Sequence, residues 1–244
     1  MQYNEGVFAW PHLLPMAALA ALVGGLAAVE RKGAFQLMFS RPLVLAPAMG
    51  WALGDARGGL LLGVPLEMLF LGGVNLGGSL PDNESLLAAA LTALVVPAGL
   101  AARTGVDPPL AALGLALVFP LALVGRRMER ASELRNLQLL AVAQKRSEAG
   151  DIEAARVNLR GLLLPFGASA GICALAVLAS PVLSWARATS SIATLAALEG
   201  GWHAIWAVAA ACAVRAIRDH RAPALAAVSG AAVIGVSLAL RGLW

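Results

Sequence analysis

Charge is scarce in this chain. Asp, Glu, Lys and Arg make up 13% of its 244 residues, about half of the ~25% usual in soluble domains. Hydrophobic residues reach 59% and the mean hydropathy is +0.78, so a water-soluble domain of this size would lack the polar surface it needs. Cysteine is scarcer still. Cys173 and Cys212 fall inside apolar runs and in no Cys-x-x-Cys pair, which excludes a disulfide framework and a zinc site and leaves two small buried hydrophobes. The three histidines, His12, His203 and His220, stand far apart with no metal-ligand spacing. The first two suit helix interfaces or a local hydrogen bond, and His220 lies in a basic turn. No P-loop, nucleophile elbow or Cys/His pair occurs, so no metal and no cofactor is expected.

What the chain has instead is long apolar runs. A helix needs roughly 20 mainly apolar residues to cross ~30 Å of hydrocarbon. Candidate spans are 13–29, 43–63, 86–102, 110–125, 161–183, 192–214 and 222–241. The runs "LLAAALTALVV" and "AALGLALVFPLALVG" do not alternate, which argues against β-barrel strands. The expected fold class is an all-α polytopic membrane protein with about seven spans. A further stretch, about 60–80, is too rich in Gly and Pro for a straight helix and suggests a broken or re-entrant hairpin. The segment before the first span carries Glu5 and neither Lys nor Arg, so the first span is expected to be retained rather than cleaved as a signal peptide.

The cations are clustered. Eight of the eighteen Lys and Arg lie between Arg126 and Arg160, and Arg215, Arg218 and Arg221 form a second group. Two spans separate the groups, so both fall on one side, the cytoplasmic one by the positive-inside rule. Arg31 and Lys32 argue for the same side at the end of the first span. This distribution, and not nucleic acid, accounts for the net charge of +4. The polar insert 126–160 carries Met128, Ala131, Leu134, Leu137 and Leu140 near helical spacing, which predicts an amphipathic cytoplasmic arm, ended by Gly150 and followed by a cap at Asp151. The chain divides accordingly within one membrane domain: 1–125 with N-terminal spans and the hairpin, 126–160 the helical loop, 161–244 the C-terminal spans.

Within this lipid-like composition Glu67 stands out. It follows Pro65 in "GVPLEMLFLGGVNLGG". A carboxylate at bilayer depth costs roughly 2.5–3.5 kcal/mol on insertion scales unless it faces a cavity or a partner, so it is a functional candidate. Pro65 removes a backbone donor, and Gly63, Gly72, Gly73, Gly77 and Gly78 allow turns and close approach. Irregular backbone at that depth lines a cavity or is buried in protein. Glu67 and Asn75 are therefore expected near the tip of a hairpin. With Asp82, Asn83 and Gln36 they form a set of acceptors and donors suited to the hydroxyls of a sugar, though a cation site would use the same groups. Alternatively Glu67 pairs with Arg41 and only fixes packing, and Asp82–Asn83–Glu84 only caps the next helix. Asp55 has a turn or a site role, and Glu199, beside Gly200 and Gly201, marks a candidate second break.

From Arg41 to Asp82 the chain resembles the membrane subunit IIC of mannose-family sugar phosphotransferase systems (PTS). The resemblance rests on Arg41-Pro42-Leu43, Gly50, Leu53-Gly54-Asp55, Gly59, Gly63, Leu66-Glu67, Leu71-Gly72, Asn75, Gly77 and Pro81-Asp82. It continues more weakly through "AVAQKRSEAGDIEAARVNLRGLLLP", 141–165, and faintly through 190–235. The resemblance implies a permease in the bacterial cytoplasmic (inner) membrane that takes a hexose or amino sugar inward by an elevator movement. It implies a membrane partner, IID, in a trimer of IIC–IID heterodimers, and cytosolic partners IIA and IIB. The phosphohistidine would reside on IIB, so this chain would have no catalytic residue. It places Glu67 and Asn75 on the sugar with Asp82 nearby. Three departures stand beside it: Gln36 lies away from the Arg-Pro pair, Pro65 precedes Leu-Glu, and the Asn75-to-Pro81 spacing is one residue short. The sugar is left open, and so are two other classes, a stand-alone ion-coupled transporter and a structural or regulatory membrane subunit.

Overall fold

A computed structural model describes residues 10–33, 37–71, 83–148, 156–216 and 221–239. These form ten helices and no strand: α1 Trp10–Lys32, α2 Pro42–Leu53, α3 Ala56–Phe70, α4 Glu84–Ala102, α5 Pro108–Val118, α6 Pro120–Glu148, α7 Arg156–Arg160, α8 Leu163–Thr189, α9 Ile192–Arg215 and α10 Ala222–Ala239. Five apolar stretches are long enough to cross a membrane: Pro11–Lys32, Glu84–Ala102, Pro108–Glu148, Leu163–Thr189 and Ile192–Arg215. The chain is an all-helical, multi-pass membrane protein. Large apolar side chains such as Leu22, Leu175, Val182, Trp185 and Ile192 are exposed, which suits a lipid-facing surface and would be untenable in water.

Helix α4 lies at the centre. It packs against α1, α2, α3, α5, α6 and α8 and is buried from Ser85 without interruption through Gly99. Its sequence is largely Ala and Leu with small residues on every side, so neighbours can approach from all directions. Asn83 starts it, its Oδ1 accepting from the Leu86 N–H at 2.9 Å. Outside α4, α1 lies along α8, where Gly24 and Gly25 face Cys173 and Phe166 so closely that a methyl group at either would collide. Both cysteines are free, Cys173 buried and Cys212 half-buried.

The structure corrects two expectations. The run 43–63 is not one span. It divides at Gly54 and Asp55 into α2 and α3, which pack against each other as a hairpin. Gly54, at φ 100°, ends α2 in the left-handed region that favours Gly. Asp55 starts α3, its Oδ1 accepting from the Gly58 N–H at 2.7 Å. Pro42 occupies the first turn of α2, where its missing N–H costs nothing. At about 1.5 Å per residue, the 15-residue α3 is roughly 22 Å long, short of the ~30 Å hydrocarbon core. The second correction concerns Pro65. Helix α3 continues through it to Phe70, so Glu67 lies in regular helix near the end of α3, and the rest of the stretch expected to form the hairpin, 72–80, lies outside the described residues. Glu199, likewise, lies in unbroken α9, with Oε1 at 3.8 Å from Nε2 of His203.

The hairpin closes through glycine. A side chain at Gly59 would strike the Ala46 carbonyl, one at Gly50 the Asp55 carbonyl, and one at Gly63 the Pro42 carbonyl. Gly59→Val should therefore splay α2 from α3 and destabilise the protein by about 1–3 kcal/mol or more. Gly171→Ala, where nothing lies within 4 Å, should stay within about 0.5 kcal/mol. Thermal midpoints of the detergent-purified variants decide this, and equal midpoints would refute the packing account.

Candidate functional site

One group of charged side chains collects at the end of the bundle away from the Gly54–Asp55 turn. Helix α1 ends there in Glu30, Arg31 and Lys32, and cations suit a helix C-terminus. Helix α4 begins there with Glu84 in its first turn, where an acid is favoured. Arg41 precedes α2, the end of α3 brings Glu67, and α6 passes by with Glu129, Ser132 and Glu133. The ion pairs form a chain across five helices. Glu67 Oε1 lies 3.7 Å from Arg41 Nη1, which is 3.4 Å from Glu84 Oε1. That same oxygen lies 3.6 Å from Arg31 Nη1. Arg31 Nη1 also donates to Ser85 Oγ at 3.1 Å, and Arg31 Nε donates to Glu129 Oε1 at 2.9 Å. Lys32 pairs with Glu133 at 3.6 Å.

Glu67 thus contacts Arg41, the partner its sequence reading held open as the alternative. Its second oxygen, Oε2, accepts from the Leu43 N–H at 3.3 Å. Leu43 is in the first turn of α2, so one helix supplies the anion that the unpaired N–H groups of the other favour. The Glu67 side chain is 16% exposed against 46% for Arg41. The pair is long, lacks bidentate geometry and has one wet partner, so it holds Glu67 weakly. The carboxylate retains lone pairs for a further donor. Asn75, Asp82, Gln36, Gly72 and Gly77 lie outside the described residues.

The other sequence candidates have definite places. Asn83 is buried and caps α4, and its N–H approaches the Ala122 carbonyl at 3.4 Å. It also lines a cavity of about 90 Å³ with Arg31, Glu129, Ser132 and Ser169. Ser132 Oγ is buried there without a hydrogen-bond partner. Arg41, Pro42 and Gly63 together build the base of the hairpin, whereas Asp55 shapes its tip. Near the tip a wider concavity of about 360 Å³ is lined by Asp55, Arg57, Thr104 and Asp107, among others. Asp107 is held there by Arg187 and accepts from the Leu110 N–H at 2.9 Å. No group of three or more His, Cys, Asp or Glu suited to a metal exists among the described residues.

Sequence reasoning missed the partners. Arg31 serves there as a topology signal, whereas the fold makes it the link between α4 and α6. Glu129 hides within the charged insert. Its signal is spacing: Ala122, Gly125, Glu129 and Ser132 are the buried residues of α6, at intervals of three and four that mark one helix face. Breaking the Arg31–Glu129 pair by Arg31→Met should cost about 3–5 kcal/mol, because it strands a buried carboxylate, and Arg31→Met with Glu129→Met should recover most of that loss. Denaturation of the purified variants measures both. A double variant no more stable than the single one would refute the pairing.

Comparison with known proteins addresses the same residues. The family model for the PTS system sorbose-specific IIC component matches residues 14–196. The mannose-specific EIIC component of Escherichia coli (strain K12) is 28% identical over 119 residues, 49% of this chain and 41% of that protein. The fructose permease IIC component of Bacillus subtilis (strain 168) is 34% identical over 101 residues, 41% of this chain and 36% of that protein. The sorbose-specific EIIC component of Klebsiella pneumoniae is 33% identical over 86 residues, 35% of this chain and 29% of that protein. The matched stretches span less than half the length of these relatives. Among solved structures, a chain described as a membrane protein superposes with a TM-score of 0.65 at 22% identity, covering 96% of both chains. A chain of the mannose transporter ManYZ in complex with microcin E492 (MceA) superposes with a TM-score of 0.55 at 22% identity, covering 93% of this chain and 94% of that one. At this identity the likeness establishes a shared fold.

Proposed function

Because the chain belongs to the family of PTS sorbose-specific IIC components, we propose that it is the membrane permease subunit of a sugar phosphotransferase system. It binds a hexose or amino sugar and carries it across the bacterial cytoplasmic membrane for phosphorylation by the cytosolic subunit IIB. The family match over residues 14–196 carries this reading, and it covers the hairpin and every member of the ion chain. The chemistry is compatible. Glu67 is a partly shielded carboxylate whose cation is weakly held, and a carboxylate accepts strongly from sugar hydroxyls. Asn75, eight residues on, adds an amide that both donates and accepts. Asp82, Gln36 and Asn83 remain candidates beside them. No residue of this chain is assigned the phosphoryl group, which passes from IIA to IIB.

The basic residues of 126–160 favour the cytoplasm for the helical arm. Five helices bring their charged ends to the same side as that arm, so Glu67 would face the compartment where IIB works. The membrane partner is IID, in a trimer of IIC–IID heterodimers, and the chain acts as one domain divided at the arm. The ManYZ likeness supports a partner of this kind.

The Arg41–Glu67 contact favours a second reading, in which the pair only locks the hairpin. Glu67→Gln separates the two. With IIA, IIB and IID supplied, it should lower uptake and phosphorylation of mannose, fructose or sorbose at least about tenfold, a loss of ~1.4 kcal/mol or more in transition-state stabilisation, with little change in thermal midpoint. Wild-type uptake with a lowered midpoint would instead establish the packing role.

A further inference from the structure

We propose that Arg41 is an exchangeable counter-ion, shared between Glu67 and Glu84 when sugar is absent and ceded to Glu84 alone when sugar arrives. The inference rests on the reading of Glu67 as the sugar-binding carboxylate and adds a role for two residues that need not touch sugar. One nitrogen, Arg41 Nη1, faces both acids, at 3.7 Å from Glu67 and 3.4 Å from Glu84. The first distance is beyond hydrogen bonding and the second at its long limit, so neither acid holds the guanidinium firmly. Arg41 is also the most exposed of the three, at 46% against 16% and 17%. Its backbone precedes Pro42 in extended geometry and its side chain caps nothing. The side chain is therefore anchored at one end and able to swing at the other.

The two acids differ in what else supports them. Glu84 has Arg31 at 3.6 Å, and it sits in the first turn of α4, where the helix dipole favours it. Glu67 has the Leu43 N–H on one oxygen and Arg41 as its cation, at 3.7 Å from the other. A sugar hydroxyl donating to Glu67 replaces a weak ion pair with a charge-assisted hydrogen bond, and Glu84 keeps the displaced guanidinium paired close by. The exchange leaves no charge stranded, so it sets sugar affinity at small cost. Arg41 is here a positioning residue and Glu84 its alternative seat.

The two substitutions should act with opposite signs, whereas loss of the Arg41–Glu84 pair that both share would shift binding in one direction. Exposed pairs of this kind correspond to about two- to fivefold in an equilibrium constant. Arg41→Gln should tighten sugar binding by about that factor, and Glu84→Gln, which leaves Arg41 to Glu67 alone, should weaken it by about as much. In the Arg41→Gln background, Glu84→Gln should have no effect on affinity. The measurement is binding of radiolabelled mannose, fructose and sorbose to membranes holding the full chain with IIA, IIB and IID. Equal or same-sign shifts overturn the exchange. If Glu67→Gln binds sugar like the wild type, the sugar-site reading falls. If Glu67→Gln abolishes binding while Arg41→Gln and Glu84→Gln leave it unchanged, only the exchange falls. A second measurement needs no sugar: the Arg41–Glu67 coupling from thermal double-mutant cycles should be larger in the Glu84→Gln background than in the wild type. An unchanged coupling overturns the exchange even if none of the three sugars binds.

Discussion

A charged group in an apolar protein must find its opposite within the chain, and that requirement organises the end of this bundle. Five elements deliver their ends or faces to one place because the acids and bases there neutralise each other in sequence, from Glu67 through Arg41, Glu84 and Arg31 to Glu129. The chain is graded. Arg31 and Glu129 are nearly enclosed and close at 2.9 Å, whereas the Arg41 end is half exposed and its contacts are long. Burial makes the inner pair costly to break, and exposure makes the outer pair weak. One end of the network is therefore a fixed joint among α1, α4 and α6, and the other is adjustable.

The adjustable end belongs to the hairpin, whose construction keeps it a unit. Gly50, Gly59 and Gly63 let the two backbones meet without side chains between them. Gly54 and Asp55 close one end by a left-handed residue and a cap, and the Glu67–Leu43 bond ties the other. All backbone groups of a turn within a membrane need such partners. Since both helices are shorter than the hydrocarbon core is thick, the hairpin spans only with the help of its neighbours, chiefly α4. Leu45, Met49, Leu62 and Leu66 of the hairpin are buried against those neighbours.

The fold class and most of the helices were legible in hydropathy, because lipid-facing helices need long apolar runs and little else has them. The hairpin was not, for the same reason. Residues 43–63 satisfy the length of a span, and a window average does not register that Gly54-Asp55 is a turn signal. Pro65 misled in the other direction. Proline usually ends a helix in water, yet α3 runs through it, as helices packed within membranes can. On α6 hydrophobicity marks Leu134, Leu137 and Leu140, which are exposed, whereas the face packed into the bundle is Ala122, Gly125, Glu129 and Ser132. Near a charged network the informative pattern is small and polar residues at helical spacing. Of the candidate site, Glu67 and Arg41 could be named from sequence, but their pairing could not, since 26 residues and a turn separate them.

The family match and the geometry constrain the same part of the molecule. Residues 14–196 include most of α1 and all of α2 through α8, hence both the fixed joint and the hairpin, and exclude most of α9 and all of α10. Those last helices pack on each other, with α9 reaching α3 and α5, and contribute nothing to the ion chain. What the chain shares with its relatives is thus the part in which a partly shielded carboxylate, a glycine-built hairpin and a buried ion pair are mechanically connected. Glu67 cannot shift without loosening its tie to the start of α2, and Arg41 sits at that same start. Any solute that recruits Glu67 therefore acts on the hairpin base and, through Glu84 and Arg31, on the helix that continues into the arm.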